Sequence, residues 1–124
     1  MIKEWTYSKE KSAFRKLGQE AEKGYGFVYA IRIEVAQGFT LLKIGATRDL
    51  QTRFSNFNKR TATLFCVSPA HANFWENEEI LHNTFAEYRV PPRPGRGVQA
   101  EFFNLSMPYF LKHLPALIYE KEKE

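Results

Sequence analysis

The sequence lacks several features that would point directly to a chemistry, and cysteine is the first of them. Its one cysteine, Cys66, lies in the apolar stretch TLFCV. A single thiol excludes a disulfide within the chain, and its apolar neighbours predict a buried side chain rather than a reactive one. The histidines and this cysteine show no spacing typical of a zinc site. We therefore expect no zinc or redox centre, and we expect His71 and His113 on the surface.

Long apolar runs are also missing. No stretch reaches the roughly eighteen consecutive apolar residues that a membrane-spanning helix requires. The first residues, MIKEWTYSKEK, lack the apolar core of a signal peptide. We expect a cytoplasmic protein without membrane contact, inside a bacterial host cell if a phage encodes it. With 124 residues, 44% of them hydrophobic, the chain can form one compact core.

The charge that is present is unevenly distributed. The net charge is +4, and basic residues concentrate in positions 43–60 and 89–97, on either side of an acidic stretch over 71–88. This pattern suits a surface that binds a polyanion around a site containing carboxylates, with ordinary solvated charge as the alternative. The candidate nucleic-acid contacts in and around these segments are Arg48, Lys59, Arg60, Arg89, Arg93 and Arg96.

Hydrophobic periodicity and capping residues predict an α+β fold with a small, mainly antiparallel sheet of three to four strands flanked by helices. The expected strands cover 26–35, 39–45, 63–67 and 101–105. The expected helices are 9–23 after Ser8, 49–58 capped by Thr47, 72–88, and 107–120 capped by Ser106 and interrupted at Pro115.

The first two strands form a hairpin that places polar groups together. Pairing around the turn AQG puts Tyr29 and Lys43 on one face, about 5 to 8 Å apart. Gly45 removes a side chain at the end of the second strand, where the following helix or a ligand could approach closely. Arg53, in that helix, can extend from the edge of the core toward the sheet.

The acidic helix places one carboxylate on its apolar side. Phe74, Leu81, Phe85 and Tyr88 form the stripe that faces the core, and Glu78 lies on the same line. A half-buried carboxylate is unfavourable unless it is paired or binds a metal ion. A structural ion pair with an arginine is therefore the alternative to a functional role. Glu76 and Glu79 point elsewhere and are expected to be solvated.

These segments carry a family resemblance. GFVYAI, KIGATRDLQTR, ENEEILH and EFF occur in this order on the predicted strands and helices. Together they resemble the GIY-YIG nuclease family, in particular its short phage and bacterial branch with KIG in place of YIG. The resemblance runs from Gly26 to Leu105 and implies a metal-dependent phosphodiester hydrolase that cuts DNA.

The resemblance also implies roles for individual residues. Glu78 would bind Mg²⁺ or Mn²⁺, and Arg53 would donate to the phosphate oxygens. Tyr29 would accept a proton from the attacking water, directly or through Lys43, whose ammonium would lower the pKa of the phenol. Since Lys43 stands where the family usually has a second tyrosine, it stays open whether Tyr29 or Lys43 activates the water. His82 is either a proton shuttle or a helix-face residue that bonds a backbone group.

The resemblance divides the chain into an N-terminal helical extension (1–25), a GIY-YIG-like nuclease domain (26–105) and a C-terminal helix packed on that domain (106–124). Apolar side chains in the extension would pack on the domain or contact a second copy or a partner protein. Two other functions compete with the endonuclease: an inactive nucleic-acid-binding module of the same fold, and a phage protein that binds a host factor.

Overall fold

A computed structural model describes residues 5–91 and 101–118, and in this part of the chain the predicted α+β class is confirmed. The strands form one five-stranded antiparallel sheet, one strand more than the upper expectation. They are β1 (Thr6–Ser8), β2 (Phe27–Ala36), β3 (Phe39–Thr47), β4 (Ala62–Val67) and β5 (Phe102–Phe103). The α-helices are α1 (Arg15–Gln19), α2 (Leu50–Ser55), α3 (Phe74–Thr84) and α4 (Met107–Lys112), and short 3-10 helices cover Lys11–Phe14 and Ala86–Tyr88.

The sheet has the order β1-β4-β2-β3-β5, with the long β2–β3 hairpin at its centre. Gly38 has a φ of 74° in the hairpin turn, a conformation that favours glycine. The register pairs Tyr29 with Gly45 and Ile31 with Lys43. Directly paired residues project to the same side of a sheet, as do residues two apart in one strand. Tyr29 and Lys43 are therefore diagonal neighbours on one face, which confirms the prediction.

Both faces of the sheet are covered by apolar side chains. One core contains Val28, Ile44 and Cys66 and packs against α3 and α4, while the other contains Phe27, Tyr29 and Ile31 and packs against α2 and the first 3-10 helix. The predicted burial of the cysteine is confirmed, and burial raises the pKa of its thiol to about 12. The central strands are apolar on both faces wherever each face packs against a helix.

The N-terminal segment differs most from expectation. A single helix over 9–23 was predicted, but the segment begins with β1, which pairs with the edge of β4 through Tyr7 and Cys66. Backbone pairing with an open sheet edge satisfies main-chain groups that a lone surface helix would expose at its ends. The segment also contributes an aromatic side chain to each core. The ring centre of Trp5 lies 6.1 Å from that of Phe110, and the ring centre of Phe14 lies 5.6 Å from that of Phe54.

The other helices are shorter than predicted, and their ends have local causes. The side chain of Asp49, not that of Thr47, caps α2 by accepting from the Thr52 amide. Ser106 caps α4 as predicted, through the Tyr109 amide. This helix ends at Lys112 because Pro115 disfavours helical backbone at the residue before it.

The inner face of α3 centres on Asn77, which is fully buried. Its amide oxygen accepts from the Ile118 N–H at 2.7 Å, and its amide nitrogen donates to the Ile118 carbonyl at 2.6 Å. The same nitrogen lies 3.3 Å from the ring of His71, which is buried although we expected it on the surface. His113 is exposed as predicted. The helices in the described part are all too short or too polar to cross a bilayer.

Candidate active site

Four elements bring the predicted site residues together around the end of β3. Tyr29 lies in β2, Lys43 in β3, Arg53 in α2 and Glu78 in α3. Their charges act on one another: Arg53 and Glu78 both influence the pKa of Tyr29, while Lys43 and Arg53 both influence that of Glu78. Such interactions require short separations. The structure thus assembles a phenol, an ammonium, a guanidinium and a carboxylate from distant parts of the sequence.

Tyr29 is held by aromatic side chains from α2 and the residues after it. Its ring contacts Phe54 edge to face at 5.4 Å and Phe57 at 6.5 Å. Although the residue is only 1% exposed, its hydroxyl makes no hydrogen bond with the described residues, and no unpaired polar side-chain atom there is fully buried. The oxygen therefore keeps a small contact with solvent, through which it can bind a water molecule.

The electrostatics of Tyr29 correct one expectation. We expected Lys43 to lower the pKa of the phenol, but burial raises that pKa well above its ordinary value. The cation that opposes the rise is Arg53, while Glu101 and Glu78 add to it. Lys43 is not among the charges that act on the phenol, and its ammonium is paired with Glu101. Tyr29 is therefore a neutral phenol at physiological pH in this arrangement.

Gly45 provides the space that the ring of Tyr29 needs. A β-carbon on this residue would lie 2.5 Å from the Tyr29 hydroxyl oxygen and 2.6 Å from the ring carbon that carries it. The predicted close approach at Gly45 is present, but the group that approaches is Tyr29 itself rather than the following helix or a ligand. The glycine of KIG thus determines where the tyrosine of the first motif can lie.

Glu101 is a residue of this site that sequence reasoning missed. Its Oε2 lies 2.8 Å from the Nζ of Lys43, a residue that is 8% exposed. Its carbonyl also accepts from the Ile44 amide at 3.0 Å, which aligns it beside β3. The short segment EFF was recognised as part of the resemblance, but its acid became a candidate only once β5 was seen to pair with β3 at Lys43 and Phe102.

Glu78 is half-buried, as its place on the apolar stripe of α3 predicts. Burial and the nearby Glu101 raise its pKa to about 6, against the opposing effects of Lys43, a hydrogen bond from the Ala46 amide and Arg53. The alternative of a structural ion pair with an arginine is not found: within the described ranges, the pairs closer than 4 Å are Lys16–Glu20 and Lys43–Glu101. Glu76 and Glu79 are exposed as predicted.

His82 lies beside the site, where Glu101 and Lys43 influence its pKa. Its Nε2 lies 2.9 Å from the Ile44 carbonyl, and its Nδ1 lies 3.4 Å from a guanidinium nitrogen of Arg89. Since the carbonyl can only accept, Nε2 carries the proton and Nδ1 faces the arginine as an acceptor. Burial lowers the pKa of the ring. Of our two interpretations, the geometry favours the helix-face residue bonded to backbone over the proton shuttle.

The predicted nucleic-acid contacts are at the surface wherever they are described. Arg48, Lys59, Arg60 and Arg89 are all exposed. The guanidinium of Arg48 lies 5.8 Å from the centre of the Phe74 ring, and that of Arg89 lies 5.9 Å from the Phe103 ring. The two remaining predicted contacts, Arg93 and Arg96, lie outside the described residues.

The side chains present fit a hard divalent cation held mainly by water. Over 5–91 and 101–118, no group of three or more His, Cys, Asp or Glu side chains is positioned to enclose a metal ion. Mg²⁺ does not require such a group, because it commonly binds through one or two carboxylates and keeps several waters. Glu78 would supply one carboxylate, and Glu101 is close enough to influence its pKa.

The fold and the assembled polar groups define a small α+β module with a charged site at one end of its sheet. Comparison with protein families matches residues 26–117 to the T5orf172 domain. The chain therefore belongs to the T5orf172 domain family, which is associated with endonucleases. Neither the comparison with curated proteins nor the comparison with solved structures found a match.

Proposed function

We propose that this protein is a metal-dependent endonuclease of the GIY-YIG type that hydrolyses phosphodiester bonds in DNA. The observation that carries the proposal is the meeting of Tyr29, Lys43, Arg53 and Glu78 at one end of the sheet. Phosphodiester hydrolysis needs a positioned water, compensation of charge on the phosphate and stabilisation of the leaving oxygen. A phenol, two cations and a carboxylate can meet these needs. Membership of an endonuclease-associated family supports the same conclusion.

The charged residues would bind and neutralise the phosphate. Glu78 would hold Mg²⁺ or Mn²⁺, which supplies Lewis-acid stabilisation of the developing charge when bound. Arg53 is exposed and can present its guanidinium fork to two phosphate oxygens. Lys43 would place a single positive charge beside the same phosphate, held in position by Glu101.

Tyr29 would position the attacking water through its hydroxyl. Since its pKa is strongly raised, the neutral phenol both donates and accepts hydrogen bonds, and it does not act as a preformed phenolate. The aromatic contacts with Phe54 and Phe57 fix the direction of the ring. This role for Tyr29 replaces the one we expected from proximity to Lys43.

Nicking of supercoiled plasmid tests the proposal. We expect the wild type to relax plasmid with Mg²⁺ and not with EDTA. The Arg53→Ala variant should be slower by about 10²- to 10³-fold, the effect typical of removing one group that stabilises transition-state charge. Lys112→Ala is the control, since it removes an exposed cation on α4 that is not among the candidate DNA contacts. Equal activity of the two variants would remove Arg53 from the mechanism.

Absence of cleavage by the wild type on plasmid, branched and single-stranded DNA would contradict the endonuclease. DNA binding that weakens with salt would then support a binding module, because phosphate contacts release counterions. Binding to a host protein without any affinity for DNA would support the third interpretation.

The Glu101 carboxylate is expected to control the pH dependence of cleavage. Its charge raises the pKa of Glu78, so Glu101→Gln should move the acidic limb of the pH–rate profile to lower pH. Because a negative charge beside the phosphate is removed, KM for DNA should also fall. Glu87→Gln, on an exposed residue, is the control and should leave the profile in place. An unchanged acidic limb in Glu101→Gln would mean that this carboxylate only orders the strand.

A further inference from the structure

A basic groove lies on the side of α2 away from the candidate active site. Two adjoining depressions of about 210 Å³ and 280 Å³ share Glu10, Lys11 and Lys59. Their walls are the N-terminal segment on one side and α2 with the start of β4 on the other. We define the basic groove by its four cationic residues, which are Lys9, Lys11, Arg15 and Lys59.

One of these cations builds the groove rather than being available to a ligand. The ammonium of Lys11 donates to the carbonyls of Phe54 and Phe57, at 3.3 Å and 2.9 Å. These carbonyls lie at the end of α2, where a helix has unpaired acceptors and a partial negative charge. Lys11 therefore fastens the N-terminal segment to the helix that carries Arg53.

The other three cations are uncompensated. Lys9, Arg15 and Lys59 are exposed, and within the described chain none of them has a carboxylate oxygen within 4 Å. Among the described residues, the one acid on the groove walls is Glu10. Three unpaired positive charges around an open depression create a positive potential that attracts a polyanion.

The groove and the site flank one short helix. Residues two apart on a helix point in nearly opposite directions, so Arg53 faces away from Gln51 and Ser55, which line the groove. A helix with its side chains is about 10–12 Å wide, which corresponds to roughly three nucleotides at about 3.4 Å each along one strand. A DNA backbone that crosses α2 could therefore contact both places.

We propose that the basic groove is a second binding site for the DNA backbone, which extends the contact beyond the scissile phosphate. This inference rests on the proposed function for its choice of ligand. It assigns the N-terminal segment, which lies outside the matched family domain, a role in holding the substrate.

Equilibrium binding to a short DNA duplex, measured without divalent metal over a range of salt concentrations, tests the groove separately from cleavage. Each phosphate contact contributes about 0.9 to the slope of log K against log salt concentration. Lys9→Ala/Arg15→Ala should reduce the slope by roughly 1.8 if both contacts are lost. Lys16→Ala/Lys23→Ala changes the net charge equally but lies outside the groove, so its slope should stay close to that of the wild type.

A gain-of-affinity variant guards against misfolding as an explanation. Glu10→Gln removes the acid that the described groove walls contain and should strengthen binding, a result that loss of structure cannot produce. Equal slopes for the two double variants, or no gain in DNA affinity in Glu10→Gln, would overturn the proposal that the groove binds DNA. Plasmid nicking would decide independently whether the protein is an endonuclease, because a nuclease can remain active when an outlying backbone contact is absent.

Discussion

Replacing Glu78 by glutamine is expected to abolish cleavage and, above pH 6, to make the protein more stable. The amide keeps an oxygen that can accept from the Ala46 N–H, but it has no charge to hold a cation. Since a bound cation contributes several kcal/mol to transition-state stabilisation, we expect the nicking rate to fall by roughly 10³-fold or more. Supercoiled-plasmid nicking at saturating Mg²⁺ measures this loss.

The gain in stability follows from the pKa of Glu78, which is raised from 4.5 to about 6 in the folded protein. Between these values the folded state binds more protons than the unfolded state, so stability falls as pH rises. Above pH 6 the full cost of the buried charge is present. Glu78→Gln removes that cost, and we expect a gain on the order of 1 kcal/mol after allowing for partial exposure.

Thermal unfolding at two pH values checks the stability of the Glu78→Gln variant. The difference between variant and wild type should be clear at pH 7.5 and nearly absent at pH 4, where the carboxyl is protonated in both states. Glu79→Gln, on the exposed neighbour, should change neither stability nor nicking. A variant that is inactive and also less stable at pH 7.5 would indicate a structural role for Glu78.

The second large effect is expected from Gly45→Ala. The new methyl group would lie 2.5 Å from the hydroxyl of Tyr29 and 2.6 Å from its ring carbon. This ring cannot move aside freely because Phe54 and Phe57 pack against it. Overpacking of this kind costs about 1–3 kcal/mol, and the displaced hydroxyl should also lower cleavage. Chemical denaturation and plasmid nicking measure the two effects.

Gly18→Ala is the matched control for this substitution. At that position a β-carbon would lie 3.4 Å from the β-carbon of Leu50, a far smaller conflict, and alanine favours the helical conformation of α1. The control variant should be as stable as the wild type or slightly more so. Gly45→Ala with normal stability and activity would show that the sheet adjusts and that KIG does not determine the place of Tyr29.

The sequence by itself determined the α+β class and the central hairpin. Alternation over 26–35 and the turn AQG are sufficient to place Tyr29 and Lys43 on one face, because side-chain direction in paired strands follows from spacing alone. The position of Glu78 on an apolar helical stripe likewise predicted its partial burial. These features depend on local periodicity, which the chain encodes directly.

Only the tertiary structure decided which distant groups meet. The pairing of β5 with β3 brings Glu101 to Lys43. The packing of Tyr29 against α2 makes Arg53 the cation that lowers the pKa of Tyr29. The N-terminal segment forms β1 because the edge of β4 offers a partner, which no pattern within 1–25 could indicate. Local preferences are weak compared with burial and main-chain pairing, so contacts between distant segments determine both the extra strand and the electrostatics of the site.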